Sequence, residues 1–419
     1  MFARTIASTH SGRVLEHIGT SIQRPKRGWS SITPAQTGIT IHALNNTTFP
    51  YIWLRDSCQS SIHPGVKTKL HRTSDIPHDI RPASLSSDGI RLSATELEIK
   101  WSDGHSSVFP RSFLELHSDK AKLHEFHGNL VEEAWDNQSI QRTNLFIPYE
   151  ELLTVHGLAR AFDQLGKYGL LLVSGVPNEK TGNDECELRR LAEMFGEIRY
   201  TFYGSLWDVV NRKTESKNIA YTNLNLGLHM DLLYFQHPPR YQILHCLRNR
   251  VEGGKSIFVD ALAAAETLRK TNPGYLDILA KTPVPFHYIN DGHHLFQEHT
   301  TIELAPASTT SPERRIGHIN YSPYAQAPLP LDTPQEFYSA LKEFSRLLHE
   351  PNNIYEYTLR EGDAALFDNR RVLHARTAFH DGGDETLKIG EARRWLKGCY
   401  LEADAILDRG RILRKQLAA

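Results

Sequence analysis

Residues 221–232 alternate between two kinds of side chain with a period of two, which predicts a β-strand with one buried face. The even positions are apolar: Leu224, Leu226, Leu228, Met230 and Leu232. The odd positions are Tyr221, Asn223, Asn225, Gly227, His229 and Asp231. A strand facing solvent would show the same alternation. The pattern alone therefore leaves both a surface strand and a metal-binding strand open.

Composition excludes several classes of protein. The formal net charge of the 419 residues is −1, so no overall charge favours nucleic acid or an anionic membrane. No apolar run reaches the roughly 18 residues of a membrane helix. The four cysteines are scattered, which indicates neither a disulfide framework nor a complete cysteine zinc site. We therefore expect a small-molecule partner, with no nucleic acid and no membrane.

Three regions differ in their sequence pattern. Residues 1–30 are rich in basic, Ser and Thr residues, which fits a mitochondrial transit peptide or a disordered N-terminus and leaves mitochondrial and cytoplasmic locations open. Residues 36–118 are predicted to form a small β domain. Segments such as ITIHAL, YIWLRDS, GIRLSATELEIKW and SSVFP have the alternating side chains of β-strands, and clusters of Asn, Gly, Pro and Ser separate them. Residues 140–415 are predicted to form a second domain. Helical periodicity is expected there at 149–169, 185–197, 260–282 and 333–350.

The pair His229 and Asp231 could supply two ligands of a metal site. A mononuclear iron(II) oxygenase binds its metal through two histidines and one carboxylate and leaves positions open for co-substrate and oxygen. The third ligand is expected from the segment 361–379, where an apolar strand contains His374. Further on, alternation places Arg394 on the same face as Tyr400 and opposite to Arg393. A buried arginine can hold a carboxylate through two parallel hydrogen bonds, as a 2-oxoglutarate-dependent oxygenase requires.

An ordered series of segments resembles the γ-butyrobetaine dioxygenase and trimethyllysine dioxygenase family, which are TauD-like iron(II)/2-oxoglutarate-dependent oxygenases. The segments are LTVHGLARAFDQLGKYGLLLVSGVP, RYTFYGSLW, NIAYTNLNLGLHMD, HPPRYQILHC, GGKSIFVD, FDNRRVLHAR and RWLKGCY, with YIWLRDSC and IKWSDGHSSVF in the smaller region. The resemblance implies a mixed α+β, mainly β fold. The catalytic domain at 140–415 is expected to be a double-stranded β-helix (jelly-roll) barrel with flanking helices. A small β domain is expected on its N-terminal side.

The resemblance also implies roles for individual residues. It makes His229, Asp231 and His374 the iron ligands, Arg394 the partner of the distal 2-oxoglutarate carboxylate and Ser256 a neighbour of that co-substrate. It also implies an aromatic cage that binds a trimethylammonium group of the substrate and is formed by Tyr203, Trp207, Tyr221 and Tyr400. Asn218 is implied to contact the substrate carboxylate. The cofactors implied are Fe(II) and 2-oxoglutarate, and ascorbate is compatible with them.

The reaction that the resemblance implies is hydroxylation of γ-butyrobetaine to carnitine, with oxidative decarboxylation of 2-oxoglutarate to succinate. Three departures concern the substrate: Leu232 replaces a tyrosine of the animal enzyme, and Ser322 and Pro323 stand where the family offers asparagines. Hydroxylation of trimethyllysine, or a biosynthetic tailoring reaction on a free amino acid or amine, remains an alternative. A catalytically inactive relative that binds small amines is an alternative of another class.

The smaller region departs from the zinc-binding pattern of the butyrobetaine enzyme. It keeps one cysteine, Cys58, with Ser60 in place of another, and offers His63 and His105 as further zinc candidates. We do not expect structural zinc, because a closed tetrahedral site normally needs four good ligands. Family members are often homodimers, which makes a homodimer an expectation here although the sequence shows no interface.

Overall fold

The computed structural model of the chain describes residues 29, 31–127, 130–210, 219–306, 314–381 and 392–418. The chain divides into two compact units, Met1–Phe126 and His127–Ala419. Within the described ranges, no helix combines the length and the apolar character that crossing a membrane would require. The predicted leader lies outside the described residues, apart from Trp29 at its end.

The first unit contains two three-stranded antiparallel sheets, ordered β1-β2-β3 and β4-β5-β6. Its elements are β1 (Ile32–Pro34), β2 (Gly38–Ile41), β3 (Thr47–Pro50), α1 (Tyr51–Asp56), β4 (Ile90–Leu92), β5 (Glu96–Lys100), β6 (Ser106–Pro110), α2 (Arg111–Ser118) and α3 (Lys120–Phe126). The expected strand in YIWLRDS is wrong, because these residues form α1. Tyr51 and Leu54 are both buried, and their spacing of three residues fits one face of a helix.

The second unit is larger and contains most of the strands. These are β7 (Phe146–Pro148), β8 (Leu170–Ser174), β9 (Ile198–Arg199), β10 (Trp207–Val210), β11 (Leu226–His229), β12 (Tyr241–Asn249), β13 (Val251–Gly253), β14 (Ser256–Asp260), β15 (Pro283–Asn290), β16 (His293–Thr300), β17 (Ile302–Leu304), β18 (Ile316–Ile319), β19 (Ile354–Tyr357), β20 (Ala364–Asp368), β21 (Val372–Arg376), β22 (Phe379–Asp381) and β23 (Arg394–Leu401). Its helices are α4 (Asn137–Ile140), α5 (Tyr149–Leu152), α6 (Val155–Tyr168), α7 (Glu187–Phe195), α8 (Ala261–Thr271), α9 (Pro273–Lys281), α10 (Gln335–Leu348) and α11 (Ala403–Ala418).

Two sheets of this unit pack face to face. One has the order β10-β23-β12-β20-β8-β7, with β9 paired to β23, and the other has the order β11-β21-β14-β19. Their inner faces meet where Phe258 of β14 lies 5.7 Å from Phe367 of β20, measured between ring centroids. Phe367 in turn lies 4.8 Å from the ring of His374. The arrangement is the predicted double-stranded β-helix, and its interior leads to the candidate metal ligands.

The predicted helical segments form the flanks of this sandwich. The segment 260–282 is two helices rather than one, because Pro273 has no N–H and the Asn272 side chain accepts from the N–H of Tyr275 at 3.2 Å, which caps a new helix. Helix α6 ends at Gly169, whose φ of +68° is the left-handed conformation common after a helix. Apolar faces of α6, α7 and α11 cover the larger sheet, and α8, α9 and α10 pack beside the smaller one.

Candidate metal centre and substrate pocket

The strands β11 and β21 bring two histidines together. His229 ends β11 and is the cross-strand partner of His374, with ring centroids 4.1 Å apart. The next recorded pair is Leu226 with Arg376, so β11 has one residue more than β21 between the two pairs, which is a β-bulge. The strand predicted over 221–232 is wrong outside Leu226–His229. Leu224 lies before the strand and is 59% exposed instead of buried. Within the strand the bulge changes the predicted alternation, because Leu226 lines the same pocket as His229.

Asp231 completes a three-residue cluster with these histidines. One potential ligand atom from each of His229, Asp231 and His374 lies within 4.8 Å of the others, and no other such cluster occurs among the described residues. The Oδ1 atom of Asp231 is 3.4 Å from Nε2 of His229. The Nδ1–H of His229 donates to the carbonyl of Gly227 at 2.9 Å, which leaves the Nε2 lone pair directed at the cluster.

The charge states of these groups suit a divalent metal. Burial, together with the neighbouring His229, lowers the pKa of His374 to about 3, so its imidazole is neutral at physiological pH. Burial alone would raise the pKa of Asp231, but the neighbouring His229 and His374 and the hydrogen bond from Tyr400 hold that pKa below its ordinary value. A neutral His374 imidazole and an ionised Asp231 carboxylate are deprotonated donors of the kind that metal binding requires.

The Asp231 side chain and backbone are both held in place. The hydroxyl of Tyr400 donates to Asp231 Oδ2 at 2.9 Å, and burial raises the pKa of Tyr400 well above its ordinary value. Asn369 accepts from the Asp231 N–H at 2.8 Å and donates to the carbonyls of Asp231 and Pro239, both at 3.0 Å. The next residue, Leu232, has a φ of +60° although it is not glycine.

A cavity of about 70 Å³ on one side of the cluster contains the predicted arginine. It is lined by His229, Asp231 and His374 together with Arg394 and Ser256. Burial lowers the pKa of Arg394 to about 10, so the guanidinium is still protonated at neutral pH. Its Nε is buried without a hydrogen-bond partner in the described part of the chain. A buried cation of this kind beside a metal cluster suits an anionic ligand.

Sequence reasoning missed two polar residues of the same cavity. Arg376 donates to the carbonyls of Ala220, Thr222 and Leu224, each at 2.8 Å, and so fixes the segment that carries Tyr221. Its position two residues after His374 placed it on the same strand face, which was a usable signal. Gln242 of β12 lines the cavity as well, and its sequence neighbours gave no such signal.

His229 and Asp231 also line a larger pocket of about 360 Å³ with an aromatic wall. The tyrosines and the tryptophan that line it are Tyr203, Trp207, Tyr221, Tyr234, Tyr288, Tyr324 and Tyr400. All four predicted cage residues are among them, and the ring centroids of Trp207 and Tyr400 are 5.3 Å apart. The predicted carboxylate contact Asn218 lies outside the described residues. The described lining contains no lysine or arginine.

The zinc candidates of the first unit do not come together as a three-residue site. Cys58 Sγ lies 3.2 Å from Nε2 of His105 and 3.0 Å from the hydroxyl of Ser60. His63 instead accepts from the backbone N–H groups of Gly65 and Val66 through Nδ1, and the described residues contain no zinc-type cluster around Cys58. Burial would raise the Cys58 pKa, but hydrogen bonds from Ser107, Ser60 and His105 lower it to about 6.

Comparison with known proteins identifies the family. Residues 138–400 match the family described as "Taurine catabolism dioxygenase TauD, TfdA family", and residues 36–115 match "Gamma-butyrobetaine hydroxylase-like, N-terminal". Dioxygenase str8 of Strobilurus tenacellus is 49% identical over 94% of this chain and 92% of its own length. The human gamma-butyrobetaine dioxygenase is 28% identical over 88% and 92%, and the human mitochondrial trimethyllysine dioxygenase is 29% identical over 88% and 83%.

The chain belongs to the TauD/TfdA dioxygenase family. It is an oxidoreductase that depends on iron(II) and 2-oxoglutarate, and the His–Asp–His cluster, whose two histidines are buried, provides a donor set that fits iron(II). The metal, when bound, activates oxygen for the oxidation of a C–H bond. Two cavities border this cluster, and both are lined by His229 and Asp231.

Proposed function

We propose that this dioxygenase hydroxylates an aliphatic carbon of a small acid with a quaternary ammonium group, with γ-butyrobetaine, which would give carnitine, as the leading substrate. In this proposal His229, Asp231 and His374 bind iron, and Arg394 binds the distal carboxylate of 2-oxoglutarate, with Ser256 beside it. The observation that carries the proposal is the aromatic wall of the larger pocket next to the metal cluster.

The aromatic wall favours a cation that cannot donate hydrogen bonds. Ring faces attract a nearby cation with about 0.5–2 kcal/mol each, and more where water is excluded. Tyr203 lies 6.4 Å from Trp207, and Trp207 lies 5.3 Å from Tyr400, so the three rings form a continuous surface. With no lysine or arginine in the described lining, this surface presents no repelling charge to an ammonium group.

A second part of the pocket suits the acid group of such a substrate. His287 and Ser322 both line the pocket, and Ser322 is buried at 5% exposure. The backbone N–H of His287 donates to the backbone carbonyl of Ala325 at 2.9 Å, and the backbone N–H of Ala325 donates to the backbone carbonyl of Ser322 at 3.1 Å. One wall therefore presents an imidazole and a hydroxyl. We propose that these groups bind the substrate carboxylate where the family uses asparagines.

A biosynthetic tailoring oxygenase is the second candidate. Identities of 28% and 29% to relatives named for two different substrates favour neither substrate, and the 49% identical relative is named only as a dioxygenase. The pocket observation that favours this candidate is the further apolar and aromatic lining by Leu232, Tyr234 and Tyr288. Such a lining would also accept a neutral or aromatic amine or amino acid.

A substrate panel scored by succinate release tests these proposals. The panel contains γ-butyrobetaine, trimethyllysine, their unmethylated counterparts and an isostere in which carbon replaces the ammonium nitrogen, with Asp231→Ala as the inactive control. Preference for γ-butyrobetaine supports the first proposal. Preference for trimethyllysine supports the quaternary-ammonium substrate class but makes trimethyllysine the substrate. Equal turnover of methylated and unmethylated substrates, or preference for the neutral isostere, contradicts it and supports the tailoring oxygenase.

A further inference from the structure

The two oxygens of the Asp231 carboxylate have different surroundings. Oδ1 lies 3.4 Å from Nε2 of His229, inside the metal cluster, whereas Oδ2 accepts the hydroxyl of Tyr400 at 2.9 Å. Tyr400 is only 2% exposed, and its ring also lines the substrate pocket beside Trp207. A single side chain thus touches both the candidate metal ligand and the space for the substrate.

The rest of Asp231 has little freedom to move. Asn369 binds both its N–H and its carbonyl, at 2.8 and 3.0 Å, and Asn369 is itself fully buried. The remaining motion of the carboxylate is rotation about its own side-chain bonds. The hydrogen bond from Tyr400 to Oδ2 opposes that rotation, because any turn that brings Oδ2 toward the cluster breaks it.

We propose that Tyr400 is a positioning residue that keeps Asp231 a one-oxygen ligand of the metal. Carboxylates bind divalent metals through one or both oxygens. Two imidazoles and one carboxylate oxygen would hold iron(II) and leave positions on it open for the co-substrate and oxygen. A second Asp231 oxygen would occupy one of these positions. The hydrogen bond from Tyr400 engages that oxygen and keeps the position open.

The same contact links the pocket to the metal. A substrate that binds against the Tyr400 ring packs on the group that orients Asp231, so occupancy of the pocket restrains the hydrogen bond. This role rests on the proposed assignment of His229, Asp231 and His374 as metal ligands. It is independent of which small molecule is the substrate.

Anaerobic titration of the full-length protein tests the proposal. Fe(II) is added first and 2-oxoglutarate second, and the metal-to-ligand charge-transfer absorption of the iron complex reports the binding of 2-oxoglutarate. In Tyr400→Phe, which keeps the ring, we expect the affinity for 2-oxoglutarate to fall about tenfold, equal to ~1.4 kcal/mol, while Fe(II) binding is retained or tightened. Under turnover, the product formed per succinate should also fall.

Tyr321→Phe is the matched control. It removes a buried tyrosine hydroxyl that lies 3.1 Å from the Ser345 hydroxyl, and Tyr321 lines neither cavity. We expect its charge-transfer absorption and 2-oxoglutarate affinity to match those of the wild type. Equal losses in both variants would indicate a general packing defect and overturn the role of Tyr400. If Tyr400→Phe does not fold, Tyr400→Leu, which also has no donor, is measured in the same way, with the same expected direction.

The two levels of the proposal fail in different ways. If the wild type does not bind Fe(II), or if Asp231→Ala binds it as well as the wild type, the assignment of the metal ligands is wrong. If the wild type binds Fe(II) and 2-oxoglutarate and Tyr400→Phe gives the same affinity and absorption, only the positioning role of Tyr400 is wrong.

Discussion

His229 and His374 face each other as a cross-strand pair although 145 residues separate them in sequence, and their ring centroids lie 4.1 Å apart. The pairing of β11 with β21 is therefore what assembles the candidate metal centre. Each histidine is 8% exposed, and the cluster borders the two cavities.

Removal of one imidazole should abolish metal binding. Loss of a group that only supports a ligand typically costs about 10–100-fold in metal affinity, so loss of the ligand itself in His374→Ala should cost more. Iron content after reconstitution and 2-oxoglutarate-dependent succinate release are the measurements. His380→Ala, an exposed histidine on β22, is the control and should behave as the wild type. Iron-dependent turnover by His374→Ala would contradict the assignment.

Arg394→Met should weaken the binding of 2-oxoglutarate without weakening the binding of Fe(II). Hydrogen bonds to a charged group contribute about 1.5–3 kcal/mol, so we expect the KM for 2-oxoglutarate to rise by about 10- to 100-fold with Fe(II) affinity unchanged. Arg394→Lys should recover only part of the loss, because lysine cannot form two parallel hydrogen bonds. Arg393→Met is the control, since Arg393 does not line the cavity. An unchanged KM in Arg394→Met would assign the co-substrate carboxylate to another residue.

Trp207→Leu should discriminate a cationic substrate from a neutral one. The variant keeps an apolar side chain but removes a ring face, at a cost of about 0.5–2 kcal/mol for an ammonium group. We therefore expect the KM for γ-butyrobetaine to rise by about 2- to 30-fold. The neutral carbon isostere should be affected less. An equal rise of the KM for both compounds would mean that Trp207 acts through the shape of the pocket alone. That result would contradict the proposal that the pocket binds a cationic group.

Asn369→Asp should damage the metal site although the shape of the side chain is kept. The aspartate can still accept from the Asp231 N–H, but it places a carboxylate oxygen against the carbonyls of Asp231 and Pro239, where Asn369 donates. We expect lower thermal stability than in Asn369→Ser and at least a tenfold loss of Fe(II) affinity. The melting temperature and metal titration test this, and Fe(II) affinity equal to the wild type would contradict it.

The first unit should become more stable as the pH rises from about 6 to about 9. The folded-state pKa of Cys58 is lowered to about 6, below the ordinary value of 9.0 for a thiol. Between these values the unfolded chain binds the proton and the folded chain does not, so stability rises with pH and is lost as the pH falls through 6. Melting curves at pH 5.5, 7 and 9 measure the effect.

Cys58→Ser is the control for that pH dependence. Serine keeps a hydroxyl near His105 but does not ionise in this range, so the increase of the melting temperature with pH that is attributed to Cys58 should disappear. A slope that is unchanged in Cys58→Ser would assign the pH dependence to another group.

Periodicity in the sequence predicted which side chains meet at the candidate metal centre better than it predicted the local course of the backbone. On β23 a period of two placed Arg394 and Tyr400 on one face, and both line cavities at the metal cluster. Around residue 226 the same rule failed, because the β-bulge inserts one residue and turns Leu226 toward the pocket. A bulge depends on the register of the partner strand, which the local sequence does not contain.

The supporting contacts were the hardest to predict. Asn369 lies 138 residues from Asp231 in sequence, and nothing in its neighbourhood distinguishes it from a turn residue. The aromatic wall was predicted where family motifs covered it, but Tyr288 comes from the β15–β16 hairpin, which carried no motif. Short-range patterns identify the faces of strands, whereas contacts between distant loops depend on the assembled fold.

Leu232 shows how such a site can change its substrate. Its backbone has the left-handed φ of +60°, next to the peptide groups of Asp231 that Asn369 holds, while its side chain lines the substrate pocket. Asp231 is thus anchored by groups that do not include the Leu232 side chain. Substitution there can alter the shape of the pocket without moving the metal ligand. Selection can therefore act on this position for a new substrate while the oxidation chemistry is inherited unchanged.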